Sequence, residues 1–298
     1  MFGGVEAGGT KFMCVIGAGP DAILGMTRIE VTDPATTLAA AVRFFRDAVD
    51  GGVSLAAIGV ASFGPIELRR GHHRYGSITK TPKPGWSGTD MVGPFAAAFG
   101  PPVGFDMDVN AAALAEGRWG STRGLSSFVY LTVGTGIGGG AVVDGRLLPG
   151  LGHPEMGHVA VPRRPGDVFP GTCPFHGDCL EGMASGPAVA TRFGRRAEEL
   201  DGTDREAVVA LVAWYLAAGV SSLIYTLAPE RVVIGGGLGL MPGLVPATRV
   251  ALAERLGGYP GLPEHADKGF VVAAGLGEMA GPLGSLILAE RAAAGEAG

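Results

Sequence analysis

Short apolar runs broken by glycine turns alternate along this chain with longer stretches whose apolar residues recur at helical spacing. Residues 5–16 read as two short strands around Ala7-Gly8-Gly9-Thr10. Residues 35–49 read as a helix, with Thr36 or Thr37 placed to cap it through a side-chain oxygen. Residues 56–61 form an apolar strand that runs into the turn Ser62-Phe63-Gly64-Pro65, and residues 69–88 are a polar loop dense in Gly, Pro and His. A short helix at 95–99, a strand at 103–106 and an Ala-rich helix at 109–119 complete the first half.

The pattern then starts again. An apolar strand at 127–133 enters the turn Gly134-Thr135-Gly136-Ile137-Gly138-Gly139-Gly140, and a strand at 141–143 leaves it for an Asp144-Gly145 hairpin turn. A later strand at 231–234 runs into Gly235-Gly236-Gly237, much as 58–62 runs into Gly64. The repetition predicts an α/β protein built from two related halves. Residues 207–229 carry no charge and are long enough to cross a bilayer. Their acidic neighbours Glu206 and Glu230, the lack of a Lys/Arg bias and the internal Ser221-Ser222 favour a buried core helix instead.

Composition sharpens this picture at one point. Gly (53) and Pro (21) make up about a quarter of the 298 residues, which borders on the low-complexity range. Yet 47% of the chain is hydrophobic and only 17% charged, so there is enough apolar surface to offset chain entropy, and no Gly-X-Y period is present. The glycines therefore mark local backbone chemistry in a folded protein. A net charge of −5 and the absence of a basic run exclude an electrostatic footprint for nucleic acid or an anionic membrane. The first residues lack the basic and apolar segments of a secretory leader, and the three cysteines, two of them six apart beside a histidine, fit a metal site in a reducing compartment better than a disulfide framework, so a cytoplasmic protein is expected.

Three clusters could carry chemistry. Gly134-Thr135-Gly136-Ile137-Gly138-Gly139 fits the dinucleotide fingerprint in letters, but it opens into a strand and not into the helix that fingerprint requires. Gly8-Gly9-Thr10-Lys11 lacks the upstream glycine and spacer of a P-loop. The remaining arrangement is a pair of Gly/Thr hairpins offering backbone N–H groups to a phosphate chain. Asp106 and Asp108 close a strand and open a helix, where Asp108 either caps the helix or deprotonates a hydroxyl during phosphoryl transfer. Cys173-Pro174-Phe175-His176-Gly177-Asp178-Cys179 supplies three metal ligands in a tight loop, with a Cys173–Cys179 disulfide as the alternative, and His158 is the candidate fourth ligand for tetrahedral zinc. His153 and His158 are five apart around Pro154, so they cannot form a metalloprotease helix face, and Cys14 reads as a core residue.

Taken together, Gly8-Gly9-Thr10-Lys11, the run Leu131-Thr132-Val133-Gly134-Thr135-Gly136 and Val233-Ile234-Gly235-Gly236-Gly237 resemble the phosphate and adenosine motifs of the sugar-kinase, heat-shock ATPase and actin superfamily. Asp108-Val109-Asn110, Glu155-Met156-Gly157-His158 and Cys179-Leu180-Glu181-Gly182 make the chain similar to the ROK family of bacterial sugar kinases and repressors. Thr81-Pro82-Lys83-Pro84-Gly85-Trp86, His153-Pro154-Glu155 and His176 in place of a cysteine are similar to its fructokinase branch. The resemblance implies two ribonuclease H-like (actin-type ATPase) domains with a cleft between them, 1–115 completed by a C-terminal helix 278–298, and 116–277 with a zinc-binding loop at 153–182.

The same resemblance implies ATP-dependent phosphorylation of a hexose, fructose before glucose, mannose or N-acetylhexosamines, by a cytoplasmic homodimer using Mg-ATP and a structural zinc. Asp108 would be the base. Gly8, Gly9, Thr10, Lys11, Thr132, Gly134, Thr135, Gly136, Pro187, Gly235, Gly236 and Gly237 would face the nucleotide. Gly64, Pro65, Glu155, His158 and Glu181 would face the sugar, and His158, Cys173, His176 and Cys179 the metal. Met107 departs from the family pattern, which often has a sugar-contacting Asn there. A sugar-sensing repressor would carry a helix-turn-helix domain ahead of the first phosphate motif, and only seven residues precede Gly8.

Overall fold

A computed structural model describes residues 1–100 and 102–296. In chain order the elements are β1 (Phe2–Ala7), β2 (Lys11–Gly17), β3 (Ile23–Glu30), α1 (Pro34–Asp50), β4 (Ala57–Ser62), α2 (Gly93–Phe99), β5 (Val103–Met107) and α3 (Asp108–Trp119). Then come β6 (Phe128–Val133), β7 (Ile137–Val143), β8 (Arg146–Leu147), α4 (Leu180–Ala184), α5 (Gly186–Phe193), α6 (Gly202–Leu227), β9 (Arg231–Gly235), α7 (Leu244–Leu256), β10 (Val271–Ala273) and α8 (Ala280–Ala293). They fall into two compact units. The first comprises Met1–Trp119, Leu148–His153 and the stretch from Met279 onward; the second comprises Gly120–Leu147 and Pro154–Glu278.

The first unit is a mixed five-stranded sheet in the order β3-β2-β1-β4-β5. β1, β2 and β3 form an antiparallel meander, while β4 and β5 run parallel to β1. Position in the sheet explains the residue patterns. β4 reads AIGVAS and is buried throughout, as a central parallel strand must be; the outermost strand β3 alternates half-buried and exposed positions. α8 packs on α3 and on β1 and β4, burying every residue from Ala280 to Ala289. The expected C-terminal helix thus spans Ala280–Ala293; Ala297 and Gly298 lie outside the described residues.

α1 starts one residue before the expected range, and its cap is neither Thr36 nor Thr37. Asp33 is extended (φ −82°, ψ 159°) ahead of Pro34, and its Oδ1 accepts from Thr36 N at 2.9 Å. Proline at the first helical position loses no needed donor and fixes φ, so the residue before it takes the capping role. Thr37 is buried and accepts instead from Thr32 N at 3.1 Å.

The second unit holds a second mixed five-stranded sheet, β10-β9-β6-β7-β8. The β6–β7 hairpin corrects the expected glycine turn. Val133 pairs with Ile137, so only Gly134, Thr135 and Gly136 turn, while Gly138, Gly139 and Gly140 lie within β7 opposite Thr132, Leu131 and Tyr130. Glycine is used in β7 because a neighbouring segment lies on the strand: a Cβ at Gly139 would meet Met156 Sδ at 2.5 Å. Asp144 and Gly145 both take positive φ (50° and 74°), as a two-residue hairpin turn requires. α6 is apolar and long enough to span a bilayer, but 72% of its apolar window is buried within the protein, which makes it a core helix, packed against α4 and α7.

Candidate functional site

In the first unit, the β1–β2 hairpin holds Gly8, Gly9 and Thr10 in a tight turn closed by Gly8 N donating to Lys11 O at 3.0 Å. Thr10 O accepts from Val31 N at 3.0 Å, which ties the turn to the chain leaving β3. The amides of Gly9 and Thr10 donate to no acceptor among the described residues.

The two carboxylates at the β5–α3 junction prove to be unlike each other. Asp106 is buried, and its Oδ1 accepts from Met107 N and Asn110 Nδ2, both at 2.7 Å, so it braces the strand-to-helix corner while burial raises its pKa. Asp108 is half-buried and is itself the first residue of α3, with Oδ1 accepting from the adjacent Val109 N at 2.8 Å. It therefore does not cap the helix in the usual way, which uses an amide two or three residues on. Burial pushes its pKa up to about 7, and its Oδ2 has no hydrogen-bond partner among the described residues. A carboxylate with one open oxygen that titrates near neutrality is suited to accept a proton from a hydroxyl.

Gly64 and Pro65, joined by a cis peptide, sit beside this corner. A Cβ at Gly64 would lie 2.7 Å from Met107 Cε, so the buried Met107 presents hydrocarbon to the turn. Pro65 O accepts from Thr79 N at 2.7 Å and from Thr79 Oγ1 at 3.1 Å. His153 Nε2 accepts from Ile66 N at 3.0 Å. Sequence reasoning missed His153 as a support of this turn; the two residues are 87 positions apart and nothing local links them.

In the second unit, two distant segments converge on the β6–β7 turn. Gly134 N donates to Gly136 O at 2.9 Å, and Gly134 O accepts from Gly186 N at 2.7 Å, where α5 begins with Gly186 and Pro187. The turn after β9 lies alongside: Gly239 N donates to Val133 O at 2.9 Å, and Gly236 (φ 80°) packs its backbone on Thr132 and Val133. Thr132, Gly134, Thr135, Gly136, Pro187 and Gly235 to Gly237 thus belong to one locality. Here too two turn amides, those of Thr135 and Gly136, donate to nothing among the described residues.

His158, Cys173, His176 and Cys179 come together, with ligand atoms all within 4.8 Å of one another. His158 Nδ1 is 3.6 Å from each sulfur, and His176 Nδ1 is 3.7 Å from Cys173 Sγ. Zinc–sulfur and zinc–nitrogen bonds of roughly 2.3 and 2.0 Å at the tetrahedral angle separate the two donors by about 3.5 Å. The donor set and its spacing fit zinc. Both thiols are free, so the disulfide alternative is not realised, and burial pushes Cys179 up to about 11, which leaves its thiolate dependent on a nearby cation.

The segments that carry this His/Cys cluster lie directly on β7. A Cβ at Gly157 would fall 1.7 Å from Ile137 O, a contact only glycine permits. His158 Nε2, the nitrogen turned away from the sulfurs, is 3.9 Å from Glu155 Oε2. Glu181 stands at the end of the same knot nearest the β6–β7 turn: its Oε2 accepts from Ile137 N at 2.9 Å.

Sequence reasoning also missed a polar cluster behind α5. Arg192 grips Asp167 with two bonds of 2.9 and 2.8 Å, Tyr215 OH donates to Asp167 Oδ2 at 2.6 Å, and the guanidinium lies 3.9 Å from the Phe169 ring centroid. The Arg192 guanidinium holds the Asp167 carboxyl well below the usual range. This ties the 163–169 loop to α5 and α6, and no spacing in the sequence announces it.

Comparison with known proteins points the same way. The model of the ROK family matches residues 2–292. A fructokinase of Zymomonas mobilis is 44% identical over 97% of this chain and 96% of its own length. A fructokinase of Pediococcus pentosaceus is 37% identical over 98% of each chain. Among solved structures, a ROK hexokinase from Thermus thermophilus superposes with a TM-score of 0.75 at 29% identity, covering 97% of both chains.

Proposed function

Since the chain belongs to the ROK family, we propose that it transfers the γ-phosphoryl group of ATP to the terminal hydroxyl of a hexose, and that the hexose is fructose. The observation that carries this reading is the full-length likeness to fructokinases, and Asp108 supplies the chemistry it needs.

In the proposed reaction the sugar's terminal hydroxyl donates a hydrogen bond to Asp108 and loses its proton there as its oxygen attacks the γ-phosphorus. The bond from that phosphorus to the bridging oxygen breaks, and ADP leaves. Phosphoryl transfer gives the protein little covalent work, so positioned donors do most of the rest. The free amides of Gly9, Thr10, Thr135 and Gly136 are assigned to phosphate oxygens, with Lys11 and Thr132 beside them. Gly235 to Gly237 and Pro187 are assigned to the adenosine. Magnesium bound with ATP would neutralise part of the phosphate charge.

Gly64, Pro65, Glu155, His158 and Glu181 are assigned to the sugar hydroxyls. His158, Cys173, His176 and Cys179 would hold a structural zinc, four protein ligands leaving no open position for catalysis. The reading extends to a cytoplasmic homodimer whose two compact units are the two ATPase-type domains.

A coupled ADP-release assay across fructose, glucose, mannose and N-acetylglucosamine tests the assignment. Fructose should show the highest kcat/KM. Turnover of no sugar would overturn the kinase reading, and a preference for another hexose would overturn the substrate.

A further inference from the structure

A Gly-Thr-Gly turn is poorly equipped to aim its own amides. Glycine loses more backbone freedom on ordering than any other residue, and Gly134 and Gly136 bring no side chains to pack. Whatever fixes the turn must grip its backbone from outside. On the entry side the grip is Gly186 N on Gly134 O at 2.7 Å; on the exit side it is Glu181 Oε2 accepting from Ile137 N at 2.9 Å.

The exit grip belongs to the metal-ligating knot. Glu181 lies two residues after Cys179, and its immediate neighbours are tied down on both sides. Leu180 N donates to Val159 O at 3.0 Å, next to His158, and Thr172 N donates to Gly182 O at 2.9 Å, next to Cys173. Glu181 Oε1 has no hydrogen-bond partner among the described residues, so the carboxylate holds the turn with one oxygen and keeps the other open.

We propose that Glu181 is a positioning residue for the phosphate turn, coupling the order of the His158/Cys173/His176/Cys179 knot to the aim of the Thr135 and Gly136 amides. This rests on the kinase reading and deepens it. A sugar hydroxyl donating to the open oxygen would bias the same carboxylate, so sugar and nucleotide would each raise the other's affinity.

The discriminating measurement is nucleotide binding without sugar, because a residue that only touches sugar would leave it unchanged. Calorimetric titration of the zinc-loaded protein with magnesium and a non-hydrolysable ATP analogue should show Glu181→Ala binding roughly fivefold to tenfold more weakly, the scale of one charge-assisted hydrogen bond partly replaced by water. Glu181→Gln, whose amide oxygen still accepts from Ile137 N, should recover most of the loss. Hydrogen exchange of the Ile137 amide should be slow in the parent and in Glu181→Gln and faster in Glu181→Ala, at an unchanged melting temperature.

If the Ala variant fails to fold, Glu181→Asp, one methylene too short to reach Ile137, takes its place with the same expected loss. Nucleotide affinity within twofold of the parent in the shortened or truncated variant, or rapid exchange of the Ile137 amide in the parent itself, would overturn the proposal. A parent that binds no nucleotide would instead count against the kinase reading.

Discussion

Replacing Asp108 by Asn should make the ligand-free protein more stable at alkaline pH, and the size of the effect comes from where the carboxylate sits. Burial moves its pKa from 3.8 to about 7, and hydrogen bonds from the backbone amides of Val109 and of Asp108 itself offset only part of that cost. Between those two values the folded protein keeps a proton that the unfolded chain has released. Stability therefore falls as pH rises from about 4 to about 7 and stays low above that.

The full interval corresponds to an order of 4 kcal/mol. Because the carboxylate is only half-buried and water reaches it, about half of this, roughly 2 kcal/mol, is expected in practice. Asn keeps the shape and the acceptor for Val109 N but carries no charge. At pH 8 it should raise the melting temperature by roughly 4–8 °C for a unit of this size. At pH 5 the folded parent's Asp108 is protonated but the unfolded chain's is not, so about a third of the offset should remain, and the two proteins should melt together only near pH 4. Thermal melts of both proteins at pH 5, 6.5 and 8 decide it. An offset that does not change with pH, or an Asn variant less stable at pH 8, would refute the reasoning.

Two further predictions concern the second unit. Cys179→Ser should release the metal: elemental analysis after gel filtration should fall from about one zinc per chain to near none, and full retention would contradict the assigned ligand set. Asp167→Ala strands the Arg192 guanidinium, whose side chain is 12% exposed, and should destabilise the unit by about 3 kcal/mol in urea unfolding. Because Asp167 titrates below the usual carboxylate range, the stability it adds is present at neutral pH and is lost as pH falls below about 4. The parent and the Ala variant should thus converge in acid, and a deficit that persists unchanged at low pH would contradict this.

How much of the fold and the site was legible in the sequence depended on whether the responsible residues are neighbours. The hairpins at Gly8-Gly9-Thr10 and Asp144-Gly145 announce themselves because the turn residues are flanked by apolar runs. The far edge of the Gly134 turn did not, because Gly138 to Gly140 carry no side chains to display a two-residue period and pair through backbone alone. Asp33 went unnoticed beside two threonines, although Pro34 after it was the available signal. Cys173, His176 and Cys179 share seven residues, so their convergence was visible in advance. Spacing could not separate Asp106 from Asp108; burial and the Asn110 partner do. The links His153–Ile66, Glu181–Ile137 and Asp167–Arg192 join residues brought together only by tertiary folding, and each is a backbone or ion contact without a local signature.

In the proposed reaction Asp108 takes the proton of fructose's terminal hydroxyl while ATP gives up its γ-phosphoryl group. This step is tested most directly by phosphorus NMR of the protein incubated with magnesium, ATP and fructose, monitored in parallel for Asp108→Asn. The parent should yield fructose 6-phosphate and ADP in equal amounts, and the folded Asn variant should form product at least about a hundredfold more slowly. Phosphate released without a sugar phosphate, or an Asn variant that keeps the parent's rate, would contradict the account.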